Sequence, residues 1–318
     1  MSVRRVIIGA VVVLVGLPVL IVLVVLLTVA LLNHTNGTIV SSGETREYLL
    51  YVPPTYDRDR PTPLVISFHG AAAWPAQQQN MTHWNRLADE FGFIVVYPAG
   101  RGRIWHVGHA GPGLMGDVRF VADLIDTLTS RYSIDPARVY ANGFSLGGAM
   151  TFVLSCTLSD RIAAVGTISA AQTLPWSWCT DTRPVPLINF HGTADLVPYG
   201  GGPSPDPFNP LTFPPVREWT ANWARRNRCA AAAAEVVVTS DVTSLEYRNC
   251  ANDAAVLLYT IQGGGHAWPG GKPLPRWFFG RTTNSIDATR LTWAFFAAHP
   301  LRPPNQRLKL TPRGTLGK

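Results

Sequence analysis

The stretch Arg138-Val139-Tyr140-Ala141-Asn142-Gly143-Phe144-Ser145-Leu146-Gly147-Gly148 decides how this chain folds. The residues before Gly143 form a short apolar run that predicts a strand, and Ala149 to Cys156 has the pattern of a helix. Ser145 therefore lies in a glycine-rich turn between a strand and a helix, which is the setting of an exposed nucleophilic serine. The backbone N–H of Leu146, at the start of the helix, is a predicted donor to an oxyanion.

Apolar runs alternate with helical patterns along the rest of the chain. Further strands are predicted at Arg46 to Val52, Leu64 to Phe68, Phe93 to Tyr97, Ala163 to Ser169, Val185 to Phe190 and Ala254 to Ile261. Further helices are predicted at Met81 to Phe91, Asp117 to Tyr132, Val216 to Arg226 and Ile286 to Ala298. This alternation predicts an α/β fold, with a mostly parallel central sheet and helices on both faces.

A catalytic serine needs a base within hydrogen-bond reach and a carboxylate that orients the base. In folds with this kind of nucleophile, the acid and then the base follow the serine along the chain, each after a strand. Three histidines follow the serine: His191, His266 and His299. His266 comes after the last predicted strand and three glycines, which let its loop reach the serine, so we predict that it is the general base. His69 precedes the serine and is interpreted as a turn residue.

The orienting acid is predicted to be Asp195, which ends the sequence His191-Gly192-Thr193-Ala194-Asp195 after a predicted strand. An Asp at that place is also a common turn-forming residue. The competing carboxylates after the serine lie in predicted loops or helices: Asp181, Asp206 and Glu218. The carboxylates of the helix before the serine are interpreted as surface or cap residues: Asp117, Asp123 and Asp126.

A second oxyanion donor is expected from the loop after an earlier strand. His69-Gly70-Ala71 follows the predicted strand Leu64 to Phe68, so the N–H of Ala71, or else that of Ala72, is the predicted donor. The substrate pocket is expected to include four residues: Ala72, Phe144, Trp105 and Trp268. Gly200 to Pro215, rich in glycine and proline and without periodicity, predicts a long loop of the kind that shapes binding sites.

The N-terminal segment predicts a membrane anchor. Val6 to Leu32 is almost wholly apolar and uncharged, and Arg4 and Arg5 stand directly before it. The run is longer than both a cleavable signal and the ~20 residues that span a bilayer, which favours an uncleaved signal anchor with the following domain outside the cytoplasm. Thr28-Val29-Ala30 is a weak cleavage-like triplet, so a secreted form is the alternative.

We therefore divide the chain into four parts. Residues 1–32 are the predicted transmembrane anchor, 33–43 a linker, 44–300 the catalytic domain and 301–318 a basic, disordered tail. All four cysteines, Cys156, Cys179, Cys229 and Cys250, lie in the exported part, where disulfides are chemically permitted. Pairing by neighbourhood along the sequence (Cys156 with Cys179, Cys229 with Cys250) is one of three connectivities.

Composition excludes several other classes. With 47% hydrophobic and 15% charged residues, the chain is neither disordered nor fibrous. The formal charge of +7 comes wholly from basic residues near the two ends: Arg4, Arg5, Arg302, Arg307, Lys309, Arg313 and Lys318. The segment between them is formally neutral and holds no familiar nucleic-acid motif, so a nucleic-acid partner is not expected. The cysteine spacing matches no zinc or redox motif, and no metal or organic cofactor is expected.

Together, these motifs resemble those of the polyhydroxybutyrate-depolymerase-like and feruloyl/acetylxylan-esterase-like α/β-hydrolases. The resemblance covers most of residues 44–298. Beyond the serine turn it rests on five stretches: Phe68-His69-Gly70, Asp135-Pro136-Ala137-Arg138-Val139-Tyr140, His191-Gly192-Thr193-Ala194-Asp195, Trp219 through Cys229, and Gly263 to Gly271. It implies that Ser145, Asp195 and His266 are the nucleophile, acid and base. Many relatives have a cysteine pair before the helix that begins near Asp117, whereas this chain has Trp105-His106, so that disulfide is expected to be absent.

The predicted function is therefore an extracytoplasmic serine esterase acting on a small or polymeric carboxylic ester, of the hydroxybutyrate, feruloyl or acetyl type. A peptidase or an acyltransferase could use the same three residues. A membrane-tethered binding protein without catalysis is a further alternative, with tryptophans as its ligand surface: Trp74, Trp105, Trp176, Trp178 and Trp268. Each of these tryptophans could equally belong to the core.

Overall fold

A mixed ten-stranded sheet forms the centre of the molecule. The computed structural model describes residues 19–20, 23–24, 33–204, 212–230 and 235–301. The strands of the sheet are β1 Gly37–Ser41, β2 Glu44–Tyr51, β3 Thr62–Phe68, β4 Ile94–Pro98, β5 Ile134–Phe144, β6 Val165–Ile168, β7 Leu187–Gly192, β10 Val236–Thr239, β11 Val242–Tyr247 and β12 Val256–Ile261. Strands β8 Gly202–Pro203 and β9 Thr212–Phe213 form a separate small ribbon in the predicted long loop.

Six neighbouring strands are parallel, in the order β4, β3, β5, β6, β7 and β12. Their carboxyl ends therefore lie along one edge of the sheet, where loops after parallel strands form sites in α/β folds. The predicted α/β fold with a mostly parallel sheet is confirmed.

Antiparallel strands complete both sides of the sheet. On one side β2 pairs with β4 and β1 with β2, and on the other β11 pairs with β12 and β10 with β11. The prediction that residues 33–43 are only a linker is wrong, because Gly37–Ser41 pairs with β2 along its whole length. This strand has five residues and buries only Ile39 and Ser41, so it leaves a weak signal in the sequence.

Helices cover both faces. They are α1 Pro75–Thr82, α2 Trp84–Phe91, α3 Pro112–Arg131, α4 Leu146–Thr157, α5 Val216–Arg226, α6 Arg276–Phe279 and α7 Ala288–Ala298. Side chains of β3 alternate between two core clusters: Leu64 and Ile66 join the cluster that holds residues of α3, α4 and α5, and Val65 joins the cluster that holds residues of α1, α2 and α7. The helix predicted over Met81 to Phe91 is divided at His83, which has the left-handed φ of 58°.

The predicted anchor from Val6 to Leu32 lies outside the described residues, except for four of its positions. Among the described residues, none of the helices has the length together with the apolar composition that a membrane span requires. Of the predicted tail, residues 301–318, only Leu301 is described, and its N–H donates to the carbonyl of Ala137 at 2.7 Å.

Candidate active site

Ser145 occupies a strained turn between β5 and α4. Its φ of 55° and ψ of −120° are unusual for a residue other than glycine. The neighbouring backbone leaves no room for larger residues, since a Cβ on Gly147 would lie 2.3 Å from the carbonyl oxygen of Phe68. The N–H of Ser145 donates to the carbonyl of Ile168 at 2.9 Å, which ties the turn to β6. The serine is thus held at the carboxyl edge of the sheet.

His266 and Asp195 are joined by a short hydrogen bond. Asp195 follows β7 and His266 follows β12, and these two strands are parallel neighbours. Nδ1 of His266 lies 2.6 Å from Oδ1 of Asp195, whose side chain is fully buried. Since a carboxylate can only accept, His266 donates from Nδ1 and its Nε2 is left as an acceptor in the neutral ring.

The loops that hold this pair are packed backbone against backbone. A Cβ on Gly192 would lie 2.2 Å from the carbonyl oxygen of Gly264. The N–H of His266 donates to the carbonyl of Phe279 at 2.6 Å, and the imidazole lies 4.7 Å from the ring of Phe144, measured between centroids. These contacts fix the position of the imidazole beside the serine turn.

The Asp195 carboxylate remains charged although it is buried. Burial by itself raises the pKa of this carboxyl, but the hydrogen bond from His266 and the nearby ring of His191 outweigh it and hold the pKa below its ordinary value. The N–H of Val197 also donates to Oδ1 at 2.8 Å. An ionised Asp195 that accepts these two hydrogen bonds can hold the imidazole in one tautomer.

Ser145 and His266 line the same cavity, of about 920 Å³. Three of the four residues predicted for the pocket line it, namely Ala72, Trp105 and Phe144, and so do the two predicted oxyanion donors, Ala71 and Leu146. Trp268 does not, and that prediction is wrong. Its ring is 1% exposed, packs in the core cluster of α1, α2 and α7, and donates its indole N–H to Oγ1 of Thr289 at 2.9 Å.

The two predicted oxyanion donors belong to chain segments that meet at Ser145. Leu146 begins α4, directly after Ser145. The loop after β3 approaches the serine closely, because a Cβ on Gly70 would lie 3.4 Å from Cβ of Ser145. Ala72, the alternative to Ala71, is excluded as a donor because its N–H already donates to the carbonyl of Arg103 at 2.9 Å. Ala71 follows Gly70 directly and remains the predicted second donor.

His69 holds the loop that carries Ala71. Its Nε2 accepts the N–H of Gly100 at 3.0 Å, and its Nδ1 therefore donates to the carbonyl of Gly70 at 2.7 Å. Burial lowers the pKa of His69 to about 4, with the charge of Arg103 acting in the same direction. The ring is neutral at pH 7 and is a structural part of this loop, as a turn residue would be.

The other candidates are occupied elsewhere. Nε2 of His191 donates to the carbonyl of Val197 at 2.8 Å, and burial lowers the pKa of this ring. His299 donates to the carbonyl of Phe295 at the end of α7. Among the competing acids, Asp181 is paired with Arg226 at 2.9 Å, Glu218 is exposed on α5, and Asp206 lies outside the described residues.

The four cysteines form two disulfides, Cys156–Cys179 and Cys229–Cys250. This confirms the pairing of cysteines that are neighbours in sequence. All four cysteines of the chain are used in these two disulfides. No group of three or more His, Cys, Asp or Glu side chains that could hold a metal ion occurs among the described residues.

One interpretation of the sequence is wrong in a way that affects the cavity. Asp117 is not a surface or cap residue but is 1% exposed, and it contacts Arg46 and His106 at 2.9 Å each. The helical spacing could have indicated that Asp117 is buried, because it comes three residues after Leu114 and four before Val121 on the buried side of α3.

The chain is similar in sequence to several esterases. Residues 46–173 match the family model described as Esterase PHB depolymerase. The chain is 32% identical over 236 residues to feruloyl esterase B of Piromyces equi, which covers 71% of this chain and 44% of that protein. It is 30% identical over 263 residues to the candidate esterase NocK of Nocardia uniformis subsp. tsuyamanensis, which covers 74% of each.

The matched region thus spans less than half of feruloyl esterase B. A third relative, the poly(3-hydroxybutyrate) depolymerase of Ralstonia pickettii, is 27% identical over 238 residues, which are 67% of this chain and 47% of that protein. Among solved structures, the acetyl xylan esterase from Aspergillus awamori superposes with a TM-score of 0.59 at 16% identity, over 82% of this chain and 98% of that chain. The likeness to that structure shows a shared fold.

Proposed function

Because the chain belongs to the Esterase PHB depolymerase family, we propose that it is a serine esterase that hydrolyses carboxylic esters through Ser145, His266 and Asp195. One observation carries the proposal. His266, hydrogen-bonded to the buried Asp195, lines the same cavity as the strained Ser145.

The first half of the reaction transfers the acyl group to the enzyme. Oγ of Ser145 attacks the ester carbonyl carbon while its proton passes to Nε2 of His266, and Asp195 stabilises the imidazolium that forms. The negative charge on the carbonyl oxygen is stabilised by the N–H groups of Leu146 and Ala71. Collapse of this intermediate breaks the ester bond, and His266 gives its proton to the departing alcohol oxygen.

The second half returns the enzyme to its starting state. Water attacks the acyl carbon as His266 takes one of its protons, and the same two N–H groups stabilise the second oxyanion. The bond between the acyl carbon and Oγ of Ser145 then breaks, and the proton from His266 restores the hydroxyl. The products are a carboxylic acid and a free serine.

The cavity wall favours an uncharged ester. No Asp, Glu, Lys or Arg side chain of the described residues lines it, and its larger side chains are mostly apolar: Met81, Ile104, Trp105, Phe144, Leu196, Phe213, Leu274, Phe278 and Phe279. An unpaired charge would lose its hydration there without gaining a partner. Neutral acyl esters of the kind that the feruloyl and hydroxybutyrate names of the relatives describe are the proposed substrate class.

Site-directed variants and a chromogenic ester test the proposal. With p-nitrophenyl butyrate, Ser145→Ala and His266→Gln should lose at least roughly 10³-fold in kcat. Asp195→Asn should lose roughly 10²- to 10⁴-fold, because the amide no longer holds the productive tautomer. Asp181→Asn is the matched control, since Asp181 pairs with Arg226 and does not line the cavity, and it should keep kcat.

Other outcomes would redirect the proposal. Turnover retained in Ser145→Ala would refute it, and so would equal losses in Asp181→Asn and Asp195→Asn. Faster cleavage of amides, or transfer to added alcohols in preference to water, would show a peptidase or an acyltransferase. A binding protein would show neither turnover nor labelling of Ser145 by a fluorophosphonate.

We also propose that the domain acts outside the cytoplasm. The two disulfides support this location, because such bonds persist in oxidising compartments. The apolar run from Val6 to Leu32, preceded by Arg4 and Arg5, would direct the chain there and hold it at the membrane.

A further inference from the structure

One wall of the cavity carries a second histidine that is hydrogen-bonded to a buried carboxylate. His106 belongs to the irregular segment before α3 and lines the cavity together with Ser145 and His266. The proposed acyl transfer does not use it. Its side chain is 35% exposed, so the ring is accessible from the cavity and from solvent.

Asp117 fixes the position of this ring. Oδ2 of Asp117 accepts both the backbone N–H and Nδ1–H of His106, each at 2.9 Å. Oδ1 of the same carboxylate accepts from Arg46 at 2.9 Å, and the guanidinium lies 4.1 Å from the ring centroid of Phe120. These contacts hold the ring of His106 in one orientation.

This arrangement also fixes the tautomer. A carboxylate has no proton to donate, so the hydrogen on the His106 ring is on Nδ1. Arg46 pairs with the other oxygen of Asp117, and in the neutral form of the His106 ring the lone pair is on Nε2. No residue of the described ranges donates to that nitrogen, and it is not among the buried atoms without partners. Nε2 of His106 is thus an oriented hydrogen-bond acceptor on the wall of the cavity.

The residues around Nε2 of His106 determine which ligand groups it can bind. The sequence neighbours of His106 in the wall, Trp105 and Val107, are apolar. Two other residues of the wall, Gln78 and Thr173, have a buried side-chain oxygen without a hydrogen-bond partner among the described residues. An acceptor at this position increases the affinity for a ligand with a hydroxyl group, which can donate to it. A ligand with only an alkyl group or an ether leaves the acceptor without a partner and binds more weakly.

We propose that His106 is a specificity-determining residue, positioned by Asp117, and that its Nε2 accepts a hydrogen bond from a hydroxyl group of the substrate. The inference rests on the proposed esterase function for its kinetic consequence, although binding alone can reveal it. It assigns to the site hydroxyl-bearing esters in preference to their O-alkylated counterparts.

Pairs of esters that differ only in the donor test the proposal. One pair is methyl 4-hydroxycinnamate and methyl 4-methoxycinnamate, and the other is the p-nitrophenyl esters of 3-hydroxybutyrate and 3-methoxybutyrate. For the wild type, kcat/KM should favour the hydroxylated member of at least one pair by about 3- to 10-fold. His106→Phe keeps a planar ring without an acceptor and should bring that ratio close to one.

Two further variants make the readout specific. His106→Gln places an amide oxygen within reach of the cavity and should restore part of the preference. His34→Phe is the control, because His34 is an exposed histidine that does not line this cavity, and it should keep the wild-type ratio. In His106→Phe, Asp117 retains Arg46 and the backbone N–H of residue 106, so the fold should persist, which thermal melting would verify.

Binding measurements separate this proposal from the proposed function. In a Ser145→Ala background, quenching of tryptophan fluorescence gives Kd for both members of each pair, and Trp105 lies in the cavity wall as a reporter. Tighter binding of the hydroxylated member, abolished by His106→Phe, supports the proposal even if no ester is hydrolysed. A wild-type ratio near one for both pairs, or a preference unchanged in His106→Phe, overturns it even if the esterase activity is confirmed.

Discussion

We predict that His69 makes the free energy of unfolding depend on pH and also holds the loop that carries Ala71. The ring is 1% exposed, and its two nitrogens bond Gly70 and Gly100. Protonation would place a charge in this buried position and remove the acceptor of the Gly100 N–H. The unfolded chain has no such restriction, so it should bind a proton at a higher pH than the folded chain does.

The sign and the size of the effect follow from the two pKa values. The pKa is about 4 in the folded protein, where burial lowers it, and 6.5 in a model peptide. Between these values the unfolded state binds more protons, so the stabilisation is complete above pH 6.5 and is lost as the pH falls toward 4. From pH 8 to pH 5 the loss is about 2 kcal/mol in the free energy of unfolding.

The substitution His69→Gln removes the titrating ring and leaves an amide that can still accept from Gly100. Urea unfolding of the oxidised protein, followed by tryptophan fluorescence and circular dichroism, gives the free energy of unfolding at pH 8 and pH 5. His191 and His299 also have pKa values lowered by burial, so the variant should keep some pH dependence. The wild type should lose about 2 kcal/mol more than the variant over this range.

The control His109→Gln, at an exposed position, should behave as the wild type does. Equal pH dependence in the wild type and His69→Gln would refute the reasoning, because the ring would then not be neutral in the folded state at pH 5. At pH 8 the variant should also have a lower kcat on p-nitrophenyl butyrate with KM little changed, since the Gly70 carbonyl has lost its donor and the Ala71 N–H is less well placed.

Three other predictions concern the turn, a disulfide and the location of the domain. Gly147→Ala should lower kcat at least about 100-fold, because the added Cβ would clash with the carbonyl oxygen of Phe68 at the end of β3. The control Gly116→Ala lies on α3 with open space around it, and it should keep kcat and raise the free energy of unfolding by up to about 1 kcal/mol; comparable kcat in the two variants would contradict this. Replacing Cys229 and Cys250 together by alanine should cost about 3 kcal/mol in urea unfolding while kcat/KM at 25 °C persists, since neither residue lines the cavity, and an unchanged midpoint would show that the bridge contributes nothing. In fractionated cells, the apolar run from Val6 to Leu32 should keep the chain in membranes with the domain open to added protease; a shorter form in the medium would show cleavage, and a protease-protected chain would contradict export.

The sequence was sufficient for the parts of the fold whose signals are local. The parallel strands are buried on both faces and appear as continuous apolar runs, as β3 and β4 do. The serine turn was predicted because a strand, a glycine-rich turn and a helix occur in direct succession. The order rule for the acid and the base then led to Asp195 and His266, which the structure brings within 2.6 Å of each other.

Other parts had no local signal. Strands β1, β10 and β11 lie at the sides of the sheet, and β10 leaves most of its side chains exposed, so their pairing depends on partners distant in the sequence. The division of the predicted helix at His83 depends on one left-handed residue that is not a glycine. The sequence also does not show that the ring of Trp268, which is predicted to line the pocket, turns into the core.

The groups of the proposed reaction could be predicted from the sequence, whereas the residue proposed to select the substrate could not. The proposed reaction uses groups placed at the ends of strands, and strand ends can be located from sequence. The proposed choice of substrate depends on the irregular segment around His106, in which neither a period of two nor one of 3.6 indicates where a side chain points. Its carboxylate partner did leave a signal, because a charged residue on the buried side of a helix needs a buried partner. That signal was not used, since Asp117 is interpreted from sequence as a surface or cap residue, and the structure gives it a cation and a donor in Arg46 and His106.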